Sequence, residues 1–206
     1  MAIDSDLDLM LRVSRGDTES FEVLLQRYRM PVVGYCARLV RDPTLAEDLA
    51  QEVFLRVYQA RQRYLPSAKF TTWLYRIATN LALNAIRDRK GEPVPFGSAA
   101  SAGPGADQNA SDFEPTENRI PDTRPTVEGQ LMESDGDRLI RQAVEMLPEK
   151  QRAAVILHKY QDVDYRQIAK ILRVSESAVK SLLFRAYETL RLRLEPAMKE
   201  GLICRT

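Results

Sequence analysis

The sequence predicts an all-α protein of two small helical domains joined by a long flexible linker, with a helix-turn-helix in the second domain. Three observations lead to this fold class. Apolar residues recur at helical spacing towards both ends of the chain, with almost no strand-like alternation. Positions 91–136 are instead rich in Gly, Pro, Ser, Ala and acidic residues, a composition typical of a linker. Positions 165–184 have the spacing of a helix-turn-helix. Because the linker separates the two helical regions, the predicted domains are residues 1–90 and 137–206.

Four helices are predicted in the first domain, with bounds Leu7–Arg15, Thr18–Leu39, Thr44–Arg61 and Thr71–Lys90. Pro31 predicts a kink or a break within the second of them, because proline cannot donate a backbone hydrogen bond. The run from Thr44 to Glu47 fits a capping box at the start of the third.

The second domain is predicted to contain Asp137–Met146, a helix that begins near Pro148, and two helices separated by a turn near Arg173–Ser175. Ala169 supplies the small residue that a helix-turn-helix needs where its helices touch, and Ser175 is a good N-cap for the last helix. Apolar residues that could lock the pair are suitably spaced: Ile168, Leu172, Val174, Val179 and either Leu182 or Leu183.

Charge is unevenly distributed along the 206 residues, although the net charge is only +1. Basic residues outnumber acidic ones by 14 to 11 in positions 1–90 and by 14 to 9 in positions 137–206, whereas the linker holds 2 basic and 9 acidic residues. Neither domain has the dense positive field of a protein that binds nucleic acid tightly by itself. This pattern favours DNA binding that a partner assists.

On the last helix, the arc opposite the apolar face mixes cations, hydroxyls and one aromatic ring: Ser177, Lys180, Ser181, Phe184 and Arg185. Such an arc suits the major groove, where the cations can reach phosphates or guanine edges and Phe184 can pack on a thymine methyl group. The alternative is that Phe184 packs internally and the cations only keep the helix soluble.

Residues 71–90 predict an amphipathic helix with an unusual polar face. Trp73, Leu74, Ile77, Ala78, Leu81 and Ala85 form the apolar face, and the polar face carries Thr72, Arg76, Thr79, Asn80 and Arg87, with Asn84 at its edge. Asparagine is a mediocre helix former, yet its side chain both donates and accepts, which suits base edges. Tyr64 and Phe70 in the preceding loop could stack on unpaired bases. An ordinary amphipathic surface helix is an equally good interpretation.

The helix Thr44–Arg61 predicts a docking surface for a partner. Leu45, Leu49, Val53 and Val57 point to the core, whereas Asp48, Gln51, Glu52, Leu55 and Gln59 form the opposite arc, with Phe54 at the border. An apolar Leu55 among acids and amides fits a partner helix whose register is set by charge. An isolated exposed leucine is the simpler alternative.

The sequence contains no motif of an active site, a metal site or a cofactor site. A CxxC pair, a Walker loop, GxGxxG and a serine-centred elbow are all missing, and the single histidine is His158. Cys36 and Cys204 are predicted to be free thiols. Neither a secretory leader nor an apolar run of the roughly 18 residues that span a bilayer is present. We therefore expect a cytoplasmic, non-enzymatic protein without a cofactor, a metal or a membrane segment.

Three stretches together, in this order, resemble the extracytoplasmic-function (ECF) group of the sigma-70-type family. Residues 48–54 resemble its segment that docks on the clamp helices of the largest RNA polymerase subunit. Residues 70–84 resemble its segment for minus-ten recognition and strand melting. Leu147–Arg152 and the helix-turn-helix resemble its minus-thirty-five domain. The resemblance covers roughly three quarters of the chain, and implies core RNA polymerase and promoter DNA as partners, with an anti-sigma factor as a further one.

The resemblance also implies roles for individual residues. It places Asp48, Gln51, Glu52 and Phe54 against polymerase, and the helical pattern adds Leu55 to this set. It places Phe70, Arg76, Asn80 and Asn84 at the minus-ten strand, and the pattern adds Arg87. It places Lys180, Ser181, Phe184 and Arg185 at the minus-thirty-five element, and the pattern adds Ser177. Two positions depart from the family pattern, Leu182 where many relatives have arginine and Arg173 where glycine is usual. The second predicts a turn with a positive φ and mild strain. The acidic linker would thread the polymerase channel.

Two other functions fit parts of the sequence. A regulator that binds duplex DNA by itself, with the first domain as a sensor or dimerisation domain, predicts tight binding to a dyad-symmetric site. A helical adaptor that binds only protein predicts no effect from replacing Lys180 or Arg185 with alanine.

Overall fold

The computed structural model describes residues 5–64, 66, 69–91 and 135–199, and these are helical apart from short turns and caps. The helices are α1 Asp6–Ser14, α2 Thr18–Val40, α3 Pro43–Gln59, α4 Phe70–Arg89, α5 Asp135–Glu145, α6 Glu149–Tyr160, α7 Tyr165–Leu172 and α8 Glu176–Lys199, with a 3₁₀ turn at Arg61–Arg63. The all-α class is thus confirmed over the described ranges. The predicted linker, except for its ends at 91 and 135–136, lies outside them, as does Cys204.

Side-chain caps set where several of the helices begin. The carboxylate of Asp17 accepts from the Ser20 amide at 3.1 Å, that of Asp42 from the Leu45 amide at 3.0 Å, and that of Asp164 from the Gln167 amide at 2.8 Å. The predicted capping box at Thr44 is wrong, because Pro43 already occupies the first turn of α3 and Asp42 caps it.

Pro31 lies inside α2, which runs unbroken from Thr18 to Val40. A break at this position is therefore wrong. The pyrrolidine ring removes one backbone donor. The helix is held instead by the packing of residues on both sides of the proline, since Leu24, Val32, Tyr35, Cys36 and Leu39 are all buried.

The N-terminal half, α1 to α4, has a core that aromatic rings bridge from helix to helix. The ring of Phe21 lies 5.0 Å from that of Tyr58, and the ring of Tyr35 lies 5.3 Å from that of Tyr75. Such tilted and edge-on contacts are the arrangement that aromatic pairs prefer. Helix α1 is tied to α2 by Asp6, which accepts from both Arg27 and Tyr28.

The C-terminal half, α5 to α8, contains the predicted helix-turn-helix. Ala169 is buried where α7 meets α8, and Ile168, Val179 and Leu183 form the core of the pair. Leu183, not Leu182, is the fully buried member of the two candidates. The core therefore fixes which arc of α8 faces outward.

The two halves lie against each other. Helix α4 packs on α7 and helix α2 packs on α6, so that the buried residues form one continuous cluster. The Tyr75 hydroxyl donates to the Gln161 side chain, and the Arg38 guanidinium lies 4.6 Å from the centre of the Tyr160 ring. Among the helices described, none is long and apolar enough to cross a membrane.

Candidate nucleic-acid and polymerase interfaces

The turn between α7 and α8 has the geometry of a helix-turn-helix. Arg173 ends α7 in the left-handed region, with φ of 54°, which confirms the positive φ expected there. The amide of Val174 donates to the Ala169 carbonyl at 3.0 Å. The Ser175 hydroxyl accepts from the Ala178 amide at 3.1 Å, which confirms Ser175 as the N-cap of α8.

The recognition arc, defined as Ser177, Lys180, Ser181, Phe184 and Arg185, is exposed along its whole length. The Phe184 side chain is 69% exposed, so the alternative in which it packs internally is wrong. Lys180, Ser181, Phe184 and Arg185 line one shallow depression. An exposed aromatic ring beside two cations and a hydroxyl can combine phosphate contacts with apolar contact to a thymine methyl group.

The polar face of α4 is narrower than the sequence predicts. Arg76, Asn80 and Arg87 are half-buried and Asn84 is exposed, with Arg87 donating to the Asn84 carbonyl oxygen at 3.3 Å. Thr72 and Thr79, predicted on this face, are buried instead. The hydroxyl of Thr79 can turn inward because it donates to the Tyr75 carbonyl at 2.6 Å, which satisfies its polar group inside the core.

The aromatic side chains of Tyr64 and Phe70, near the start of α4, are buried against other aromatic rings. Phe70 is only 3% exposed, is the first residue of α4, and lies 5.5 Å from the Tyr28 ring and 6.2 Å from the Trp73 ring between centres. Tyr64 is also buried, 5.1 Å from Trp73. Neither ring is available for stacking on a base in this conformation, so the minus-ten role of Phe70 stays a prediction.

Part of the α4 face is covered by the C-terminal half. The guanidinium of Arg76 is partly buried and lies near that of Arg173, and both burial and this like charge lower the pKa of Arg76. Tyr75, one residue earlier, contacts Gln161. The helical pattern does not predict this contact; the available signal is Tyr75 itself, a large residue with a polar tip that belongs to neither predicted face.

The residues of α3 that are predicted to face polymerase include exposed, half-buried and buried side chains. Asp48 and Gln51 are exposed, Leu55 is 51% exposed, and Glu52 accepts from Arg56 at 2.6 Å. Phe54 is only 5% exposed and belongs to the core, so its predicted place at the border of the two faces is wrong. The other residues of this set form a surface in which the apolar side chain of Leu55 lies among polar and acidic groups.

Two further side chains that could take part in chemistry, those of His158 and Cys36, lie in packed surroundings. The His158 ring packs against Tyr165, and its Nδ1 lies 3.5 Å from the Val163 carbonyl oxygen. Burial raises the pKa of the Cys36 thiol to about 12, which makes it a poor nucleophile. No three potential metal ligands come together in the part of the chain that the structure describes.

Sequence comparisons match both halves of the chain to one family. The family model of Sigma-70 region 2 matches residues 24–92, and that of Sigma-70, region 4 matches residues 137–190. The RNA polymerase sigma-H factor of Pseudomonas aeruginosa is 31% identical over 200 residues, which cover 96% of this chain and 98% of the relative. The ECF RNA polymerase sigma factor SigW of Bacillus subtilis is 30% identical over 188 residues, covering 89% and 93%.

Two solved structures have a similar fold. CnrH in complex with the cytosolic domain of CnrY has a TM-score of 0.66 at 18% identity, over 94% of this chain and 99% of that one. The sigma factor RpoE of Bartonella quintana, in complex with the anti-sigma factor NepR, has a TM-score of 0.60 at 20% identity, over 86% and 98%. These likenesses concern the arrangement of helices.

Proposed function

The chain belongs to the ECF sigma factors of the sigma-70 family, and from this membership we propose a division of its surface into three interfaces for transcription initiation. As a sigma factor it directs core RNA polymerase to specific promoters. Its relatives are initiation factors and not enzymes. The observation that carries the proposal is that α3 and α8 present separate exposed surfaces of different chemistry on one chain.

The recognition arc on α8 reads the minus-thirty-five element as duplex DNA. Its support is the helix-turn-helix geometry, in which the buried face of α8 turns the arc outward. Lys180 and Arg185 contact phosphates or guanine edges, Ser177 and Ser181 accept or donate at the backbone, and Phe184 packs on a thymine methyl group or a sugar.

The exposed surface of α3 docks on the polymerase clamp. Leu55 is the apolar contact, and Asp48, Gln51 and Glu52 set register through charge and hydrogen bonds. Phe54 supports this surface from inside the core, because it is the buried neighbour of Leu55.

The polar face of α4 captures the unpaired minus-ten strand. Asn80 and Asn84 offer donors and acceptors to exposed base edges, while Arg76 and Arg87 hold the strand backbone. Unpairing costs a few kcal/mol for each flipped base. Contacts made only with the open strand offset this cost, and Phe70 would have to leave its packed position to join them.

The proposed setting is the bacterial cytoplasm, where polymerase supplies both catalysis and most of the electrostatic affinity. Residues 1–90 form the polymerase and minus-ten domain and residues 137–206 the minus-thirty-five domain, with 91–136 as the connector that threads the polymerase channel. An anti-sigma factor is a further proposed partner, since the RpoE relative of known structure is bound to one.

The test is reconstitution with core polymerase and run-off transcription from a promoter library. The parent chain is expected to bind core polymerase and to select a subset of promoters. Leu55→Asp is expected to abolish association with core, and Lys180→Ala with Arg185→Ala to keep association but lose selection. Asp135→Asn, an exposed change on α5, is the control. A parent chain that does not bind core polymerase would contradict the proposal and favour an autonomous DNA-binding regulator.

A further inference from the structure

A buried arginine lies on the first turn of α6. Arg152 is only 4% exposed. Its Nη1 donates to the Glu145 carbonyl at 2.8 Å, whereas its Nε is buried without a hydrogen-bond partner. Within the described part of the chain, no carboxylate forms an ion pair with this guanidinium. The protein therefore holds a positive charge in its interior against one neutral acceptor.

A second cation makes this buried charge less favourable. Burial lowers the pKa of Arg152, and the nearby charge of Arg41, the residue that ends α2, lowers it further. Glu149 and Glu145 act in the opposite direction, each more weakly than Arg41. The carboxylate of Glu149 is paired with Lys90 instead. Since a buried charge without a paired counter-charge is strongly unfavourable, this place in the fold favours an anion.

The start of α6 adds a third source of positive potential. Its N-cap is Pro148, which makes no side-chain hydrogen bond to the first backbone amides of the helix. These amides have no carbonyl partner within a helix, and they carry the positive end of its dipole. Arg152 belongs to the same turn, since its own amide donates to the Pro148 carbonyl at 2.9 Å. The helix end and the guanidinium thus favour the same kind of ligand, an anion.

We propose that the junction of α2 and α6 is a binding site for a phosphate group, to whose oxygens Arg41 and Arg152 donate beside the first amides of α6. Two guanidinium groups match a phosphate because it offers several acceptor oxygens and more than one negative charge. Arg41 is exposed and forms the entrance, whereas Arg152 lies inside. The phosphate belongs either to a small phosphorylated compound or to a nucleic-acid backbone. This site is separate from the proposed surfaces of α3, α4 and α8.

The site is tested with sodium pyrophosphate and the full-length chain, at an ionic strength held constant with sodium chloride. Titration calorimetry is expected to show saturable binding of one pyrophosphate per chain. The melting temperature should rise with pyrophosphate concentration, because a ligand that binds only the folded state stabilises it. Chloride at the same ionic strength should produce no such rise.

Two variants assign the binding to the proposed residues. Arg41→Gln should weaken pyrophosphate binding about tenfold or more, because it removes a charged donor. Arg41 is exposed, so this variant keeps the fold. Arg152→Met removes the buried charge and should abolish the rise in melting temperature; if it does not fold, Arg41→Gln alone decides. Arg191→Gln, the same change at an exposed arginine of α8, is the matched control and should bind pyrophosphate like the parent.

A short fluorescent DNA duplex distinguishes the two sources of the phosphate. Unchanged duplex affinity in Arg41→Gln, together with weaker pyrophosphate binding, identifies a small phosphorylated compound, whereas a parallel loss of duplex affinity identifies the DNA backbone. The proposal is overturned if pyrophosphate does not bind the parent saturably, or if it binds Arg41→Gln as tightly as the parent. None of these measurements uses polymerase, so their outcome is independent of the proposed function.

Discussion

The Tyr35 hydroxyl lies 2.7 Å from the Thr79 hydroxyl, and both groups are buried between α2 and α4. Thr79 also donates to the Tyr75 carbonyl at 2.6 Å, so it is the Thr79 oxygen that accepts from Tyr35. The pair fixes the rotation of α4 relative to α2, and thereby decides which residues of α4 face outward.

Replacing Thr79 with valine should destabilise the N-terminal half by about 1–3 kcal/mol, because the buried Tyr35 hydroxyl would lose its acceptor. Thr79→Ser keeps the hydroxyl and should cost clearly less. Tyr35→Phe leaves Thr79 bonded to the Tyr75 carbonyl and should also cost less than the valine variant. Urea unfolding followed by circular dichroism measures all three, and equal losses for valine and serine would contradict the proposed hydrogen bond.

This pair shows why the sequence predicts helices better than it predicts their faces. Periodicity places α4 within one residue at each end, since the apolar pattern depends only on local geometry. The helical pattern places Thr79 on the polar face because threonine is polar. Its hydroxyl can nevertheless be buried, because a backbone carbonyl four residues earlier accepts from it. The partner that completes the arrangement, Tyr35, lies 44 residues away and cannot be found from local spacing.

Long-range packing also explains why some of the predicted site residues are exposed and others are buried. The recognition arc follows from α8 alone, because its buried face is set by Val179 and Leu183, and all five predicted residues are exposed. Phe54 and Phe70 depend on what packs around them, and both prove to be buried. The contact of α4 with α7 joins segments separated by the linker, and no short-range pattern marks it.

Neighbouring residues Phe54 and Leu55 should separate stability from binding. Phe54→Ala should lower the free energy of unfolding by about 3–5 kcal/mol, because it empties a core site. Leu55→Ala removes a half-exposed side chain and should change stability by less than about 1 kcal/mol, yet weaken association with core polymerase. Chemical denaturation and a polymerase pull-down give the two readouts, and an unchanged pull-down for Leu55→Ala would count against the α3 interface.

Phe184→Ala is expected to leave the fold intact and to impair DNA binding. Its ring is exposed, so the free energy of unfolding should shift by less than about 0.5 kcal/mol. Lys180→Ala should reduce the salt dependence of minus-thirty-five binding by about one counterion if the side chain contacts a phosphate. Lys199→Ala, at the end of α8, is the matched control. Titration of a promoter duplex at several salt concentrations distinguishes these outcomes.

Asp42 should make stability depend on pH in the acid range. Its carboxylate accepts from Arg89 and from the Leu45 amide, and these bonds lower its pKa below the ordinary 3.8. The charged form is thus favoured in the folded state, so this stabilisation is fully present above pH 3.8 and is lost as the pH falls through the lower folded pKa. Asp42→Asn keeps a good N-cap but should make the stability depend less on pH in the acid range. Asp42→Ala should have the same effect on the pH dependence and should also lose the cap. Thermal melts between about pH 5 and pH 2.5 test this.

Arg173 offers a direct measure of backbone strain in the turn that aims the recognition arc. Its φ of 54° places a side chain in the left-handed region, which costs L-residues roughly 1–2 kcal/mol relative to glycine. Comparing Arg173→Gly with Arg173→Ala isolates this backbone cost, because both variants remove the same guanidinium and its contacts. The glycine variant should be the more stable of the two by about 1 kcal/mol. Equal stability would mean that the turn relaxes out of the left-handed region in solution, and the orientation of α8 relative to α7 would then need to be measured afresh.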